Sequence, residues 1–263
     1  MSRLEDAGLN RNEKIIKISK KEPVFCFENE SIMECVEKIL TKNFRRIPVV
    51  DKKYKLLGIL TITDILDAFL KREDFEKEIS EIMVREVIYC FEDESIGDVL
   101  LKFKISRRGG FPIVDRKMRL VGIVSERDYV RRFENVNFNI KVEEVMTRKP
   151  FIVESNISIL DCLRSMVNTK YRRLPVLENG KLIGIVTSAD LLKYIHENNY
   201  KIEALDEDLE GICRKEVYSI KKDVDLSEAI KVMDEKDVGG LLVKEGSKVE
   251  GIITERDILE RIE

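Results

Sequence analysis

Tryptophan and glutamine are absent from this sequence, and histidine occurs once, at His196. A single imidazole leaves little material for a histidine-based metal site or a Ser-His-Asp triad. Five prolines and no low-complexity tract mark an ordinary globular chain. No apolar run approaches the roughly 18–20 residues that a membrane span needs. The opening stretch MSRLEDAGLNRNEK has no apolar signal core, so the expected compartment is the cytoplasm. The five cysteines (Cys26, Cys35, Cys90, Cys162 and Cys213) show no CxxC spacing and read as reduced, mostly buried thiols. Charge of one sign is lacking too. The net charge is −3 with 37% charged residues, which is no nucleic-acid footprint. The richness in Lys, Glu and Ile resembles thermophile usage and says nothing of activity.

What the chain does have is repetition. GILTITD at 58–64 returns as GIVSERD at 122–128, GIVTSAD at 184–190 and GIITERD at 251–257. The motif acids Asp64, Asp128, Asp190 and Asp257 are spaced 64, 62 and 67 residues apart, so four similar units fill the chain. Each unit opens with a β-branched and aromatic strand: PVFCF (23–27), EVIYCF (86–91), PFIV (150–153) or EVYSI (216–220). A capped helix follows, signalled by Ser31-x-x-Glu34, Ser95-x-x-Asp98, Ser158-x-x-Asp161 and Asp225-x-x-Glu228. In the first unit Ile32, Val36, Ile39 and Leu40 then trace one apolar stripe. A strand pair comes next, joined by polar turns such as DKKYK and ENGK, and a closing helix starts at the motif acid. The expected fold is therefore α/β (α+β), in four β-α-β-β-α repeats at 16–72, 79–134, 142–197 and 209–263.

The repeats alternate. The first and third carry Arg45–Arg46 and Arg172–Arg173 ahead of the hairpin, where the second and fourth carry Gly109–Gly110 and Gly239–Gly240. The second and fourth also share the triplet ERD. This predicts a paired module duplicated once, spanning 1–134 and 135–263, since one repeat is too small to bury its sheet alone.

Thr or Ser followed three residues later by an acid, at a strand-to-helix junction, is first of all a helix cap. The reciprocal acid of such a cap is normally Glu or Gln, yet all four copies use Asp in a chain with more Glu than Asp. A helix start is also a ready anion site, and a short carboxylate there can accept hydrogen bonds from a ribose diol. Arginine forks suit phosphate oxygens, and paired glycines admit close backbone approach. Solvated arginines and a simple tight turn are the plainer readings of the same residues.

Four units built on RRIPVV…GILTITD logic resemble CBS domains, named after cystathionine β-synthase. Four in one chain resemble the gamma-subunit family of AMP-activated protein kinase and its archaeal relatives. The resemblance covers 16–263. It implies two Bateman modules in a flat disc, with AMP, ADP or ATP held between paired repeats. It places Asp128 and Ser125 on ribose with Arg45 and Arg46 on phosphate, and Asp257 and Thr254 with Arg172 and Arg173. The other two sites would use Asp64 with Thr61 and Thr63, and Asp190 with Thr187, beside Gly109–Gly110 and Gly239–Gly240. There Arg108, Arg127 or Arg256 supplies charge. Leu242 departs from the pattern, standing where the other repeats have Pro48, Pro112 and Pro175.

The expected function is a non-catalytic energy-state sensor with no metal, no catalytic cofactor and no membrane. Its partners would be adenine nucleotides, a separate effector protein and, through disc stacking, a second copy. The alternatives are a binder of another adenosyl ligand such as S-adenosylmethionine, and a nucleic-acid-binding or scaffold protein of the same family.

Overall fold

The computed structural model describes residues 3–262. After a short helix α1 (Arg3–Asp6) and strand β1 (Lys20–Lys21), the first repeat runs β2 (Cys26–Phe27), α2 (Ile32–Lys42), β3 (Arg46–Val50), β4 (Leu56–Thr61) and α3 (Ile62–Leu70). The second runs β5 (Cys90–Phe91), α4 (Ile96–Ser106), β6 (Gly110–Val114), β7 (Leu120–Ser125) and α5 (Glu126–Val130). Strand β8 (Thr147–Arg148) leads into the third: β9 (Val153–Glu154), α6 (Ile159–Thr169), β10 (Arg173–Glu178), β11 (Lys181–Thr187) and α7 (Ser188–Glu197). The fourth is β12 (Ser219–Ile220), α8 (Leu226–Glu235), β13 (Gly240–Glu245), β14 (Lys248–Thr254) and α9 (Glu255–Leu259). The α/β class and the β-α-β-β-α order are as the sequence predicts.

The opening strands are shorter than expected, two residues in every repeat, and proline sets where three of them begin to pair. The first hairpin strand is an inner strand of its sheet, between the opening strand and the second hairpin strand. Pro48, Pro112 and Pro175 have no N–H to offer on the side of the opening strand. Parallel pairing therefore begins one residue later, at Val49↔Cys26, Ile113↔Cys90 and Val176↔Val153. In the fourth repeat Leu242 supplies the missing amide, donating to the Tyr218 carbonyl at 3.1 Å. Pairing there starts one residue earlier, at Leu242↔Ser219. The departure from the family pattern changes the ladder and leaves the hairpin register intact: Leu242 faces Ile252 as Pro48 faces Ile59.

The opening helices are capped where the sequence places the caps. Ser31 and Glu34 form the full reciprocal box, and Ser95 and Ser158 accept from the amides of Asp98 and Asp161. Asp225 differs: its carboxylate accepts from Ser227, and also from the amides of Phe138 and Ile140. Ile32, Val36 and Ile39 are buried as the stripe requires. The ENGK turn passes through Asn179 and Gly180 with φ of 49° and 75°, the left-handed pair that a tight hairpin turn needs.

The glycine that begins each motif is explained by a close crossing. The segment preceding one repeat lies along the second hairpin strand of its sequence neighbour. Lys20–Lys21 pairs with β7, Val84 with Ile59, Thr147–Arg148 with β14, and Arg214 with Ile185. A Cβ on Gly58 would stand 2.5 Å from Met83 Sδ, and one on Gly251 would stand 2.8 Å from the Thr147 carbonyl oxygen. A side chain at Gly251 would collide with the crossing backbone, and one at Gly58 would first have to displace the Met83 side chain.

The chain divides into two compact units. The odd unit holds Val24–Val87 and Phe151–Glu216, thus the first and third repeats. The even unit holds Met1–Pro23, Ile88–Pro150 and Val217–Glu263, thus the second and fourth. The grouping of 1–134 against 135–263 is a separate expectation that this division does not address, and its ends at residues 1, 2 and 263 lie outside the described residues. The odd core gathers Ile39, Ile65, Leu163 and Leu191, and the even core Phe103, Phe111, Tyr129 and Phe133. The even core also takes in Leu4, fully buried, from residues ahead of the first repeat. Arg3 holds that segment by donating to the Phe138 carbonyl at 3.1 Å. Leu4→Ala is expected to lower stability by about 3 kcal/mol, as buried leucine truncations do; a guanidinium denaturation midpoint shared with the parent would contradict that packing.

One expectation about cysteine is corrected. Cys26 and Cys35 are joined in a disulfide between β2 and α2, while Cys90, Cys162 and Cys213 are free and buried. Only the first repeat has cysteine at both facing positions; the second has Cys90 with Val99, the third Val153 with Cys162. Burial pushes the Cys90 and Cys162 thiols up to about 12. Among the described residues no helix is long and apolar enough to cross a membrane.

Candidate functional site

Each second hairpin strand ends on a hydroxyl residue whose extended backbone turns the chain into the closing helix. Thr61, Ser125, Thr187 and Thr254 occupy that position with φ between −116° and −129°. The amide and the hydroxyl of each donate to a single carboxylate oxygen, Oδ2 of the motif acid. The distances are 2.8 and 2.6 Å at Asp64, 2.6 and 2.7 Å at Asp128, 2.9 and 2.6 Å at Asp190, and 2.7 and 2.6 Å at Asp257. The capping reading and the ligand reading therefore do not compete. One oxygen closes the cap and fixes the rotamer, and Oδ1 takes no part in it.

In the third repeat Oδ1 is engaged as well. Arg214 brings Nε and Nη2 to Asp190 Oδ1, both at 2.6 Å. Arg214 is the residue that crosses Ile185, so its reach follows from the crossing segment. Nothing in the local sequence around Asp190 points to it, because the two are brought together by tertiary pairing.

The Arg-Arg and Gly-Gly pairs lie beside these helix starts in their own repeats. Antiparallel register sets Arg46 opposite Thr61, Gly110 opposite Ser125, Arg173 opposite Thr187 and Gly240 opposite Thr254. The preceding residue accepts from the first helical amide: Ile62 donates to Arg45, Glu126 to Gly109, Ser188 to Arg172 and Glu255 to Gly239, at 3.2, 3.3, 3.0 and 3.4 Å. Among the described glycines only Gly8, Gly180 and Gly246 have positive φ, so the paired glycines do not serve as left-handed turns. Thr63 is the second residue of α3 and half-buried.

Two expected phosphate residues are engaged elsewhere. Arg127 Nε lies 2.6 Å from Glu255 Oε1, and Arg256 Nε lies 2.8 Å from Glu126 Oε1. Both glutamates are only 4% exposed. The role of the glutamate in ERD has one sequence signal, the recurrence of the triplet in the second and fourth repeats alone. Burial raises the Asp128 carboxyl above its ordinary value, and the charge of Glu255 adds to that, against hydrogen bonds from Ser125 that lower it. Burial likewise raises Asp257, with Glu260 adding to it, against hydrogen bonds from Thr254.

The one metal-ligating cluster among the described residues is Cys26, Glu30 and Cys35. Its sulfurs are bonded to each other, and Glu30 serves the strand: it accepts from the Phe27 amide at 3.0 Å and from Lys38 at 2.5 Å. The second repeat builds the same latch from Glu94, Lys102 and the Phe91 amide with a single cysteine.

Four segments, 15–71, 79–135, 142–197 and 208–263, match the sequence profile of the CBS domain. The chain belongs to the CBS-domain family. Among its CBS relatives is the uncharacterized protein MJ1225 of Methanocaldococcus jannaschii, 29% identical over 275 residues, which span 94% of this chain and 98% of that one. The crystal structure of that protein, described as a candidate archaeal homolog of g-AMPK, superposes with a TM-score of 0.86 at 27% identity, covering 94% and 99% of the two chains. A 33.4 kDa protein encoded in a ribosomal RNA operon of Thermofilum pendens is 28% identical over 242 residues, which cover 83% of this CBS chain and 80% of that one. A conserved protein of Pyrococcus horikoshii shares the fold at a TM-score of 0.65 and 20% identity, over 95% and 100% of the two chains.

Proposed function

We propose that this four-CBS chain is a regulatory sensor that binds AMP, ADP or ATP and performs no covalent chemistry. The observation that carries the reading is the division of labour at the motif acids. The cap consumes Oδ2 and holds the side chain still, which aims Oδ1 of Asp64, Asp128 and Asp257 as a preset acceptor for sugar hydroxyls, while at Asp190 a ligand would have to share Oδ1 with Arg214. The positive dipole end of each closing helix favours a neighbouring anion. Arg45, Arg46, Arg172 and Arg173 stand at the heads of adjoining strands, where guanidinium forks can read phosphate. His196 fits a packing role, since its Nδ1 lies 2.9 Å from the Tyr200 hydroxyl. A separate effector protein would respond to the occupied state.

Melting curves with AMP, ADP, ATP, adenosine and S-adenosylmethionine test this directly. At about 100 times its dissociation constant, a ligand adds about 2.7 kcal/mol of stability. The nucleotides are expected to raise the melting temperature, and the Arg45→Ala, Arg46→Ala double variant to weaken ATP more than adenosine. A shift with S-adenosylmethionine and none with any nucleotide would replace this reading with the adenosyl-ligand alternative. Equal weakening of ATP and adenosine would assign the arginines to packing.

A further inference from the structure

We infer that Glu126 and Glu255 are positioning residues that couple the ligand sites at Asp128 and Asp257, so that filling one tightens the other. This rests on the nucleotide reading above. Helices α5 and α9 pack against each other in the even unit. Across that contact the acid of each helix is held by the base of the other: Glu126 by Arg256, Glu255 by Arg127. The four residues adjoin the motif acids, in the runs 126–128 and 255–257. The glutamates are also the first helical residues, whose amides donate to Gly109 and Gly239. Each therefore joins three things: its own hairpin, its own motif acid two residues on, and the opposite helix start.

The pairs resist independent movement. A buried carboxylate stripped of its partner is strongly destabilising, so turning one helix start alone would leave Glu126 or Glu255 in a buried place with its arginine withdrawn. Arg127 is braced further by Asp237 at 2.8 Å. Arg131 shares Asp237 at 2.6 Å and meets Asp234 at 2.7 Å. A ligand that settles Asp128 on its helix thus settles Arg127, Glu255 and the start of the helix bearing Asp257. The second ligand meets a site already ordered, which is positive cooperativity. The odd unit has no such exchange at the corresponding positions, which are Ile62 and Thr63 in one repeat and Ser188 and Ala189 in the other.

The test is calorimetric titration of AMP into a chain carrying Asp64→Ala and Asp190→Ala, which silences the odd unit. Two AMP molecules are expected to bind, the second at least about 5-fold more tightly than the first, at the lower edge of usual coupling. Adding Glu126→Gln and Glu255→Gln should make the two events equal and independent. Reversing one pair, Glu126→Arg with Arg256→Glu, should return the inequality. Two independent events before any glutamate is changed overturn the inference without needing those variants to fold. An unchanged ratio in the glutamine variant, with both affinities merely lower, also overturns it, because that is what a structural role alone would give. No heat from AMP, ADP or ATP in the fully native chain would overturn the nucleotide reading itself and this inference with it.

Discussion

Asp128→Asn is expected to lower AMP affinity at its site by about 100-fold and, in the absence of ligand, to raise the melting temperature. The two effects have one cause. Hydrogen bonds to a charged acceptor contribute about 1.5–3 kcal/mol each, and every 1.4 kcal/mol is tenfold in affinity. Replacing the carboxylate by an amide keeps one carbonyl oxygen for the Ser125 cap and removes the charged acceptor offered to the sugar. Stability runs the other way because burial, aided by the charge of Glu255, raises the Asp128 carboxyl above its ordinary value of 3.8. Between 3.8 and the raised value the folded chain holds a proton that the unfolded chain has released. Stability is therefore lost as pH rises through that window, and the deficit persists at neutral pH. The amide carries no such deficit. The melting temperatures of parent and variant should converge below pH 3.8 and separate above it, with the variant higher. Asp257→Asn should repeat the pattern, since burial raises that carboxyl as well. An amide variant that melts lower at neutral pH, or that titrates with AMP like the parent, would mean the acid serves only the cap.

Gly184→Val should damage the scaffold about as much as truncating a buried leucine. A Cβ at Gly184 would lie 2.6 Å from the Arg214 carbonyl oxygen and 2.9 Å from Cys213 Sγ. Arg214 cannot retreat freely, because it exchanges two backbone hydrogen bonds with Ile185, at 3.0 and 2.8 Å. Overpacking of this kind costs about 3 kcal/mol at its upper range. For a chain of this size that is a fall of roughly 6–12 °C in melting temperature. The same displacement should pull Arg214 from Asp190 Oδ1. Gly122→Ala is the milder control, since its nearest contact would be 3.2 Å. Equal melting of Gly184→Val and the parent would show that the crossing segment yields at little cost.

Local chemistry wrote much of this fold into the sequence. The repeat spacing, the Ser31 and Ser158 caps, the Asn179–Gly180 turn and the apolar stripe of α2 depend on neighbours within a few residues, so they could be read directly. Even the Thr/Ser–x–x–Asp junction was legible, though the separate use of the two carboxylate oxygens was not, because it depends on rotamers. What escaped depends on partners far along the chain. Arg214 reaches Asp190 only through tertiary strand pairing, and Arg127 meets Glu255 across 128 residues. The early residues around Leu4 carry no motif, yet they complete the even core. The opening strands read longer than they are because their propensity is genuine, while only two residues of each find a partner on the adjoining strand.

The exchanged lead-in segments bear on how such a chain can grow. Each second hairpin strand has its outer edge covered by a piece of backbone that belongs, in sequence, to the adjacent repeat. A solitary copy would expose a bare ladder of amides and carbonyls, an invitation to clump with its own kind. Two copies shield one another by reciprocal loan. Lengthening by a single copy would always strand one borrower without a lender, so viable descendants of this architecture should come in even numbers.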